Sequence, residues 1–329
     1  MNTEIKTKRK SQFNKKNLLT VAIIIILYVV ITILVENDIL NRQYKSLLVP
    51  MGINIILAVS LNLTTGFLGE LSLGHAGFMA IGAYTGALFT LNVNMPEPVE
   101  FLIGIILGGI VAAIFGVLIG VPVLRLKGDY LAIVTLAFGE IIRSIINFFQ
   151  FTGGAMGLSK IPRYSTYTWV YVILVITILV IANLVKSRHG RAITSIRENY
   201  IAAESIGIKV SKYKIMAFVI AAFFAGVAGV LYGHNLSILK PADFDYNKSI
   251  EILVIVVLGG MGSIRGSIIS AIVLTILPEM LRAADDFRML LYAIVLIVMM
   301  LFNSSGIRTK LEESGKLPKF SSPIKGKAK

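Results

Sequence analysis

Few side chains in this 329-residue sequence could do chemistry, and those that could sit among apolar neighbours. Glu140 and Arg143 are three residues apart in AFGEIIR, a spacing that puts them on one helix face within pairing reach. Ionisable groups inside a membrane-length apolar run are costly unless paired, and they point to function. The pair can hold a helix in register, line a solute path or pass protons. His75, in GELSLGHAG, reads either as a hydrogen-bonded structural residue or as a proton relay. The same stretch, residues 64–77, carries Gly66, Gly69, Gly74 and Gly77. Each glycine costs a helix about 1 kcal/mol relative to alanine. Irregular backbone at membrane depth survives only when buried in protein or lining a water-filled cavity. The segment is therefore either a pathway or gating element or a plain cytoplasmic turn. The pathway or gating candidates are Gly66, Gly69, Gly74, His75, Gly77, Glu140 and Arg143.

Catalytic constellations do not occur. There are no cysteines, which removes thiol nucleophiles, disulfides and cysteine metal sites. The nearest relative of a phosphate-binding loop, GGMGSIRG at 259–266, lacks the Lys-Ser/Thr ending and a preceding strand. HExxH, GxSxG and Asp-rich metal motifs are missing as well. No catalytic, cofactor-binding or metal-binding residue is nominated, and the chain reads as a non-enzyme that hydrolyses no ATP itself.

The elements that must hold these residues are membrane helices. The chain is 56% hydrophobic and 15% charged, with a mean hydropathy of +0.80. Ordinary soluble domains are about 45–50% apolar and about 25% charged. Runs long enough to cross a bilayer as helix, about 17–25 residues, fall near 18–35, 47–63, 74–92, 101–124, 130–150, 168–185, 214–233, 250–263, 267–282 and 287–303. They are too continuous for barrel strands. The first ends at Glu36-Asn37-Asp38 and is longer than a signal-peptide core, so it reads as an uncleaved helix. Glycines at 259, 260, 262 and 266 make half-spans plausible there, as at 64–77.

The expected class is an all-α polytopic membrane protein of about ten transmembrane helices, some broken or re-entrant. Its parts are a basic cytoplasmic N-terminus (1–17), a transmembrane domain (18–303) and a basic cytoplasmic tail (304–329). With both termini cytoplasmic, 23 of the 32 Lys and Arg residues fall inside, eight outside and Arg143 within a span. That is the bias of the positive-inside rule, and it accounts for the net charge of +14 without nucleic acid. An eight-helix version keeps the same orientation.

Two runs carry small residues at spacing four: Gly104, Gly108, Ala112, Gly116 and Gly120, then Ala217, Ala221, Ala225, Gly229 and Gly233. One helix face of small residues permits close backbone approach in lipid. It serves either packing within the chain or a subunit or pore interface. The longest interior polar loop, 186–213, contains a possible short helix over 199–208 with Ile201, Ala202, Ser205 and Ile208 on one side. Such a helix suits a socket on a soluble partner or the lipid headgroups.

The segment IAAESIG at 201–207 resembles the EAAxxxG coupling segment of bacterial ABC importer permeases, with Ile201 where the family has Glu. TGFLGELSLGHAGFMAIGAY (65–84), KGDYLAIVTLAFGEIIR (127–143), TGGAMGL (152–158), GRAITSIREN (190–199) and VVLGGMGSIRGS (256–267) extend the likeness. Together they resemble the LivM-type permeases of branched-chain amino acid ABC transporters, over about residues 45–305.

That resemblance implies a fold with two halves in inverted relation. It also implies two cytoplasmic ATPase subunits, a sister permease and an extracytoplasmic substrate-binding protein, with ATP used only by the partners. The location it implies is the bacterial cytoplasmic (inner) membrane, multi-pass. It assigns the ATPase-coupling role to Arg197, Glu198, Ala202, Ala203, Glu204 and Gly207. Rival readings are the same architecture carrying urea, amides or other small polar solutes, an ion-coupled secondary transporter, and a scaffold without transport.

Overall fold

The computed structural model describes residues 24–26, 28–37, 41–93, 95–126, 128–281, 287, 290, 293–298 and 301. The basic N-terminus 1–17, the tail 304–329, Lys127 and much of the expected span 287–303 lie outside the described residues. By contacts the chain divides into units 1–48 and 49–329. The first holds α1 (Ile24–Glu36), whose Ile25, Ile26, Val29, Val30 and Ile33 are exposed apolar side chains.

The described structure is helical, with an isolated bridge between Leu158 and Leu239. The helices are α2 (Arg42–Asn62), α3 (His75–Asn92), α4 (Glu97–Val123), α5 (Asp129–Phe148) and α6 (Tyr167–Lys186). Two short helices follow, α7 (Arg188–Glu198) and α8 (Tyr200–Ser205), and then α9 (Val210–Leu236), α10 (Tyr246–Gly259) and α11 (Ile264–Met280). Among the described residues, five segments are long and apolar enough to cross a membrane: α2 with its extension to Leu68, α4, α5, α6 and α9. The chain is thus a multi-pass membrane protein. α10 and α11 have 14 and 17 residues and are parted at residues 260–263, where the glycines fall.

α3, α4 and α9 pack backbone to backbone. Gly82 of α3 faces the Gly226 backbone of α9, and Gly116 of α4 faces Ala222, whose Cβ lies 2.8 Å from where a Gly116 Cβ would be. A Cβ at Gly226 would lie 2.5 Å from that of Ala112. In lipid, helices gain no hydrophobic drive toward one another, and close approach supplies dispersion instead. Gly229, on the spacing-four face of α9, abuts the Met79 carbonyl of α3, so the small-residue faces of α4 and α9 serve packing within the chain. On the other side of α4, Leu102, Ile106, Ile110, Ile114 and Leu118 are exposed at spacing four.

Candidate functional site

α2 does not simply end. Its last turn widens into a π-helical turn, Leu63–Leu68, which closes at Gly69 in the left-handed region (φ +82°). π turns mark sites where the regular ladder has been interrupted. Gly66 has no room for a side chain: a Cβ there would overlap Asn62 Oδ1 and the Gly262 amide. Asn62, fully buried, is the reason the two breaks lie together. Its Nδ2 donates to the Ser263 carbonyl (3.1 Å) and to Ser267 Oγ (2.9 Å), and its Oδ1 accepts from the Gly262 N–H (2.8 Å). The glycine-rich turn at 63–69 is thereby bolted to the glycine-rich turn between α10 and α11.

Beyond Gly69 the chain runs without regular structure to α3, held by side chains from three helices. Leu73 N–H donates to Thr135 Oγ1 of α5 (3.0 Å), and Ala76 N–H donates to Ser249 Oγ of α10 (3.1 Å). Ser60 of α2 donates its hydroxyl to the Leu57 carbonyl (2.9 Å) and meets His75 Nε2 at 2.8 Å. His75 is thus engaged within the protein. Gly74 abuts the Thr135 carbonyl, and Gly77 abuts Gly139, where an added Cβ would come within 2.9 Å of Cα.

Glu140 follows Gly139 on α5. Its Oε2 accepts from Arg143 Nε (2.8 Å) and Nη2 (2.6 Å), so the expected i,i+3 pair is present. Its Oε1 also accepts from Tyr246 N–H (3.0 Å), tying α5 to the first residue of α10.

The polar loop forms two helices, each capped by its own sequence. Ser187 Oγ accepts from Gly190 N–H (3.3 Å) at the start of α7, and Asn199 Oδ1 accepts from Ile201 and Ala202 N–H (3.0 and 3.1 Å) at the start of α8. α8 ends on Gly207 at φ +86°, with Gly207 N–H donating to the Glu204 carbonyl (3.0 Å) and Ile208 N–H to the Ala203 carbonyl (3.1 Å). That pair of bonds is the Schellman arrangement, which favours glycine at this one position.

On α8, Ile201, Ala202 and Ser205 are exposed, as expected of a face that meets a partner or the headgroups, while Ile208 of the same expected face turns inward. Ala203 is buried and Ile208 packs beside it, in a cluster with Leu63, Leu68, Ile193, Ile196 and Ala217. Ile201 and Ile206 point outward, 63% and 75% exposed, with Tyr200, Ala202, Glu204 and Glu198 also exposed. A helix of six residues shows one small residue inward, because its caps and the start of α9 set its rotation.

Two groups of residues that look unrelated in sequence meet here. Arg197, at the end of α7, donates from Nη1 to the Gly66 carbonyl at 2.6 Å. Its side chain fills the space a Gly69 Cβ would need, with Cγ 2.8 Å from that point. Next to it, Lys214 of α9 pairs with Glu70, their side chains 8% and 15% exposed. Arg197, Gly66 and Gly69 therefore form one contact, whereas Glu140 and Arg143 sit elsewhere, on α5 against α10. Sequence reasoning missed Asn62, Glu70, Lys214, Thr135 and Ser249. An amide within the apolar run LAVSLNL was the available signal for Asn62.

Comparison with known proteins agrees with this architecture. Residues 43–302 match the family described as the branched-chain amino acid transport system / permease component. LivM, the high-affinity branched-chain amino acid transport system permease protein of Salmonella typhimurium, is 37% identical over 290 residues, covering 78% of this chain and 67% of that protein. LivM of Escherichia coli gives the same identity and coverage. LivH of Escherichia coli, a permease protein of the like-named system, is 31% identical over 123 residues, covering 37% of this chain and 40% of its own length. The chain belongs to the family of branched-chain amino acid transport system permease components.

Proposed function

We propose that this chain is the membrane permease of an ATP-driven importer and carries branched-chain amino acids delivered by an extracytoplasmic binding protein. Two cytoplasmic ATPase subunits supply the hydrolysis, and one of them seats on the loop 186–213. A second permease completes the pathway. Similarity to both LivM and LivH, permease proteins of one named system in Escherichia coli, supports that pairing. About ten transmembrane helices in two inverted halves, with both ends cytoplasmic in a bacterial inner membrane, complete the reading.

One observation carries it: the bond from Arg197 to the Gly66 carbonyl. It joins the loop that would receive a soluble motor to the turn where the membrane helix is broken. The exposed Ile201 and Ile206 present an apolar knob suited to a groove on such a motor. Glu198 and Glu204 flank that knob. Movement of α7 and α8 would pull on Gly66 and Gly69, and through Asn62 on the α10–α11 break. Gly74, His75 and Gly77 form the wall that shifts.

The test is purification with the partner subunits and reconstitution in vesicles. Leucine uptake that requires ATP inside the complex, and two ATPase subunits in the eluate, are expected. Uptake by this chain without any ATPase, driven by an ion gradient, would overturn the reading.

A further inference from the structure

α5 carries an open groove of about 560 Å³ lined by Glu140, Ile141, Ser144, Ile145, Phe148 and Phe149. That lies within the range of small-molecule sites, about 300–1,000 Å³. Glu140 stands eleven residues into the helix, about 17 Å along its axis at 1.5 Å per residue. The Glu140–Arg143 pair thus sits near the middle of a span-length helix. It is not sealed: the two side chains remain 27% and 37% exposed. A charge pair held at that depth and left open calls for water or a polar partner.

The pair has capacity left for one. Arg143 gives Glu140 two of the five N–H donors a guanidinium owns. Glu140 accepts once at Oε1 and twice at Oε2, of about four lone-pair sites. A cation and an anion side by side, next to Ile141, Ile145 and Phe148, complement one chemical class. That class is a zwitterion with an aliphatic side chain. The carboxylate would go to Arg143, the ammonium to Glu140 and the alkyl group to the apolar wall.

We propose that the α5 groove is a transient binding site for an aliphatic α-amino acid in transit, with Glu140 and Arg143 as its polar contacts. The proposal rests on the importer reading for its cargo, and its test is separable from it. The chain has no cysteine, so one introduced thiol is an unambiguous reporter on it.

In the vesicle-reconstituted complex, Ser144→Cys should react with a membrane-impermeant cationic thiol reagent. Leu118→Cys, on the exposed apolar side of α4, should not. Leucine should slow the reaction at Ser144→Cys, while isoamylamine and 4-methylvalerate, each lacking one charge, should not. Glu140→Gln keeps an acceptor for Tyr246 N–H, so the helix contact persists. It should raise the leucine concentration for half-protection about tenfold or more.

The groove assignment is overturned if Ser144→Cys is as inert as Leu118→Cys, which would mean lipid or a sister subunit covers it. Equal protection by all three compounds, or protection unchanged by Glu140→Gln, overturns it too. ATP-dependent uptake in the same vesicles without leucine protection sinks the groove alone. Uptake independent of ATP sinks the importer reading, while protection still judges the groove.

Discussion

Replacing Arg197 with alanine separates docking from transmission. The guanidinium makes a charge-assisted bond to the Gly66 carbonyl at 2.6 Å and packs over Gly69. Hydrogen bonds with one charged partner are worth about 1.5–3 kcal/mol. Arg197 is half-buried, so the low end applies, about 1.5 kcal/mol, or about tenfold in any equilibrium that depends on the bond. The residues facing outward on α8 are untouched by the change.

Arg197→Ala should therefore keep ATPase subunits bound at wild-type stoichiometry. Leucine uptake per ATP hydrolysed should fall about tenfold. The assay is paired measurement of labelled leucine uptake and phosphate release in the same vesicles, with subunit ratios read on a gel. Undiminished uptake per ATP would refute the transmission argument. Loss of the ATPase from the complex would also refute it, by showing that Arg197 serves docking instead.

Three further outcomes follow from the same contacts. Ile206→Glu, at a position 75% exposed, should abolish ATPase co-purification while shifting stability by no more than about 0.5 kcal/mol in a detergent melt, as surface changes do. Gly207→Ala meets nothing within 4 Å, so its cost is the left-handed backbone alone, about 1–2 kcal/mol. It should weaken ATPase recruitment partially in a pull-down, and Gly207→Asn should weaken it less. Glu70→Gln strands the nearly buried Lys214 and should destabilise by about 3 kcal/mol, with Glu70→Gln/Lys214→Met recovering most of the loss in the same melt.

Much of the helical layout was legible because it rests on run length and on glycine. The span expected at 74–92 is α3 at His75–Asn92, and the break expected around Gly259–Gly266 parts α10 from α11. α10 begins at Tyr246, earlier than the apolar run at 250, because Asp245 caps it by accepting from Lys248 N–H at 3.0 Å. The pairing of Glu140 with Arg143 was legible as well, since three residues on a helix fix the geometry.

Long-range partners were not legible. Arg197 and Gly66 are 131 residues apart, and Glu140 and Tyr246 are 106. No local periodicity encodes either meeting. One residue of the α8 face was misplaced for a related reason. Ile208 was placed with Ile201, Ala202 and Ser205 on the outward face, yet it packs beside Ala203 against α7, α9 and the π turn.

Asn62 gives the molecule a mechanical property that neither glycine-rich turn has alone. One carboxamide spends both its oxygen and its nitrogen on the opposite fracture. Neither fracture can slide while that side chain keeps its partners unless the other slides with it. A chain cut in two places thus behaves as though it had a single axle, and a push delivered at one end of the sequence turns up at the other.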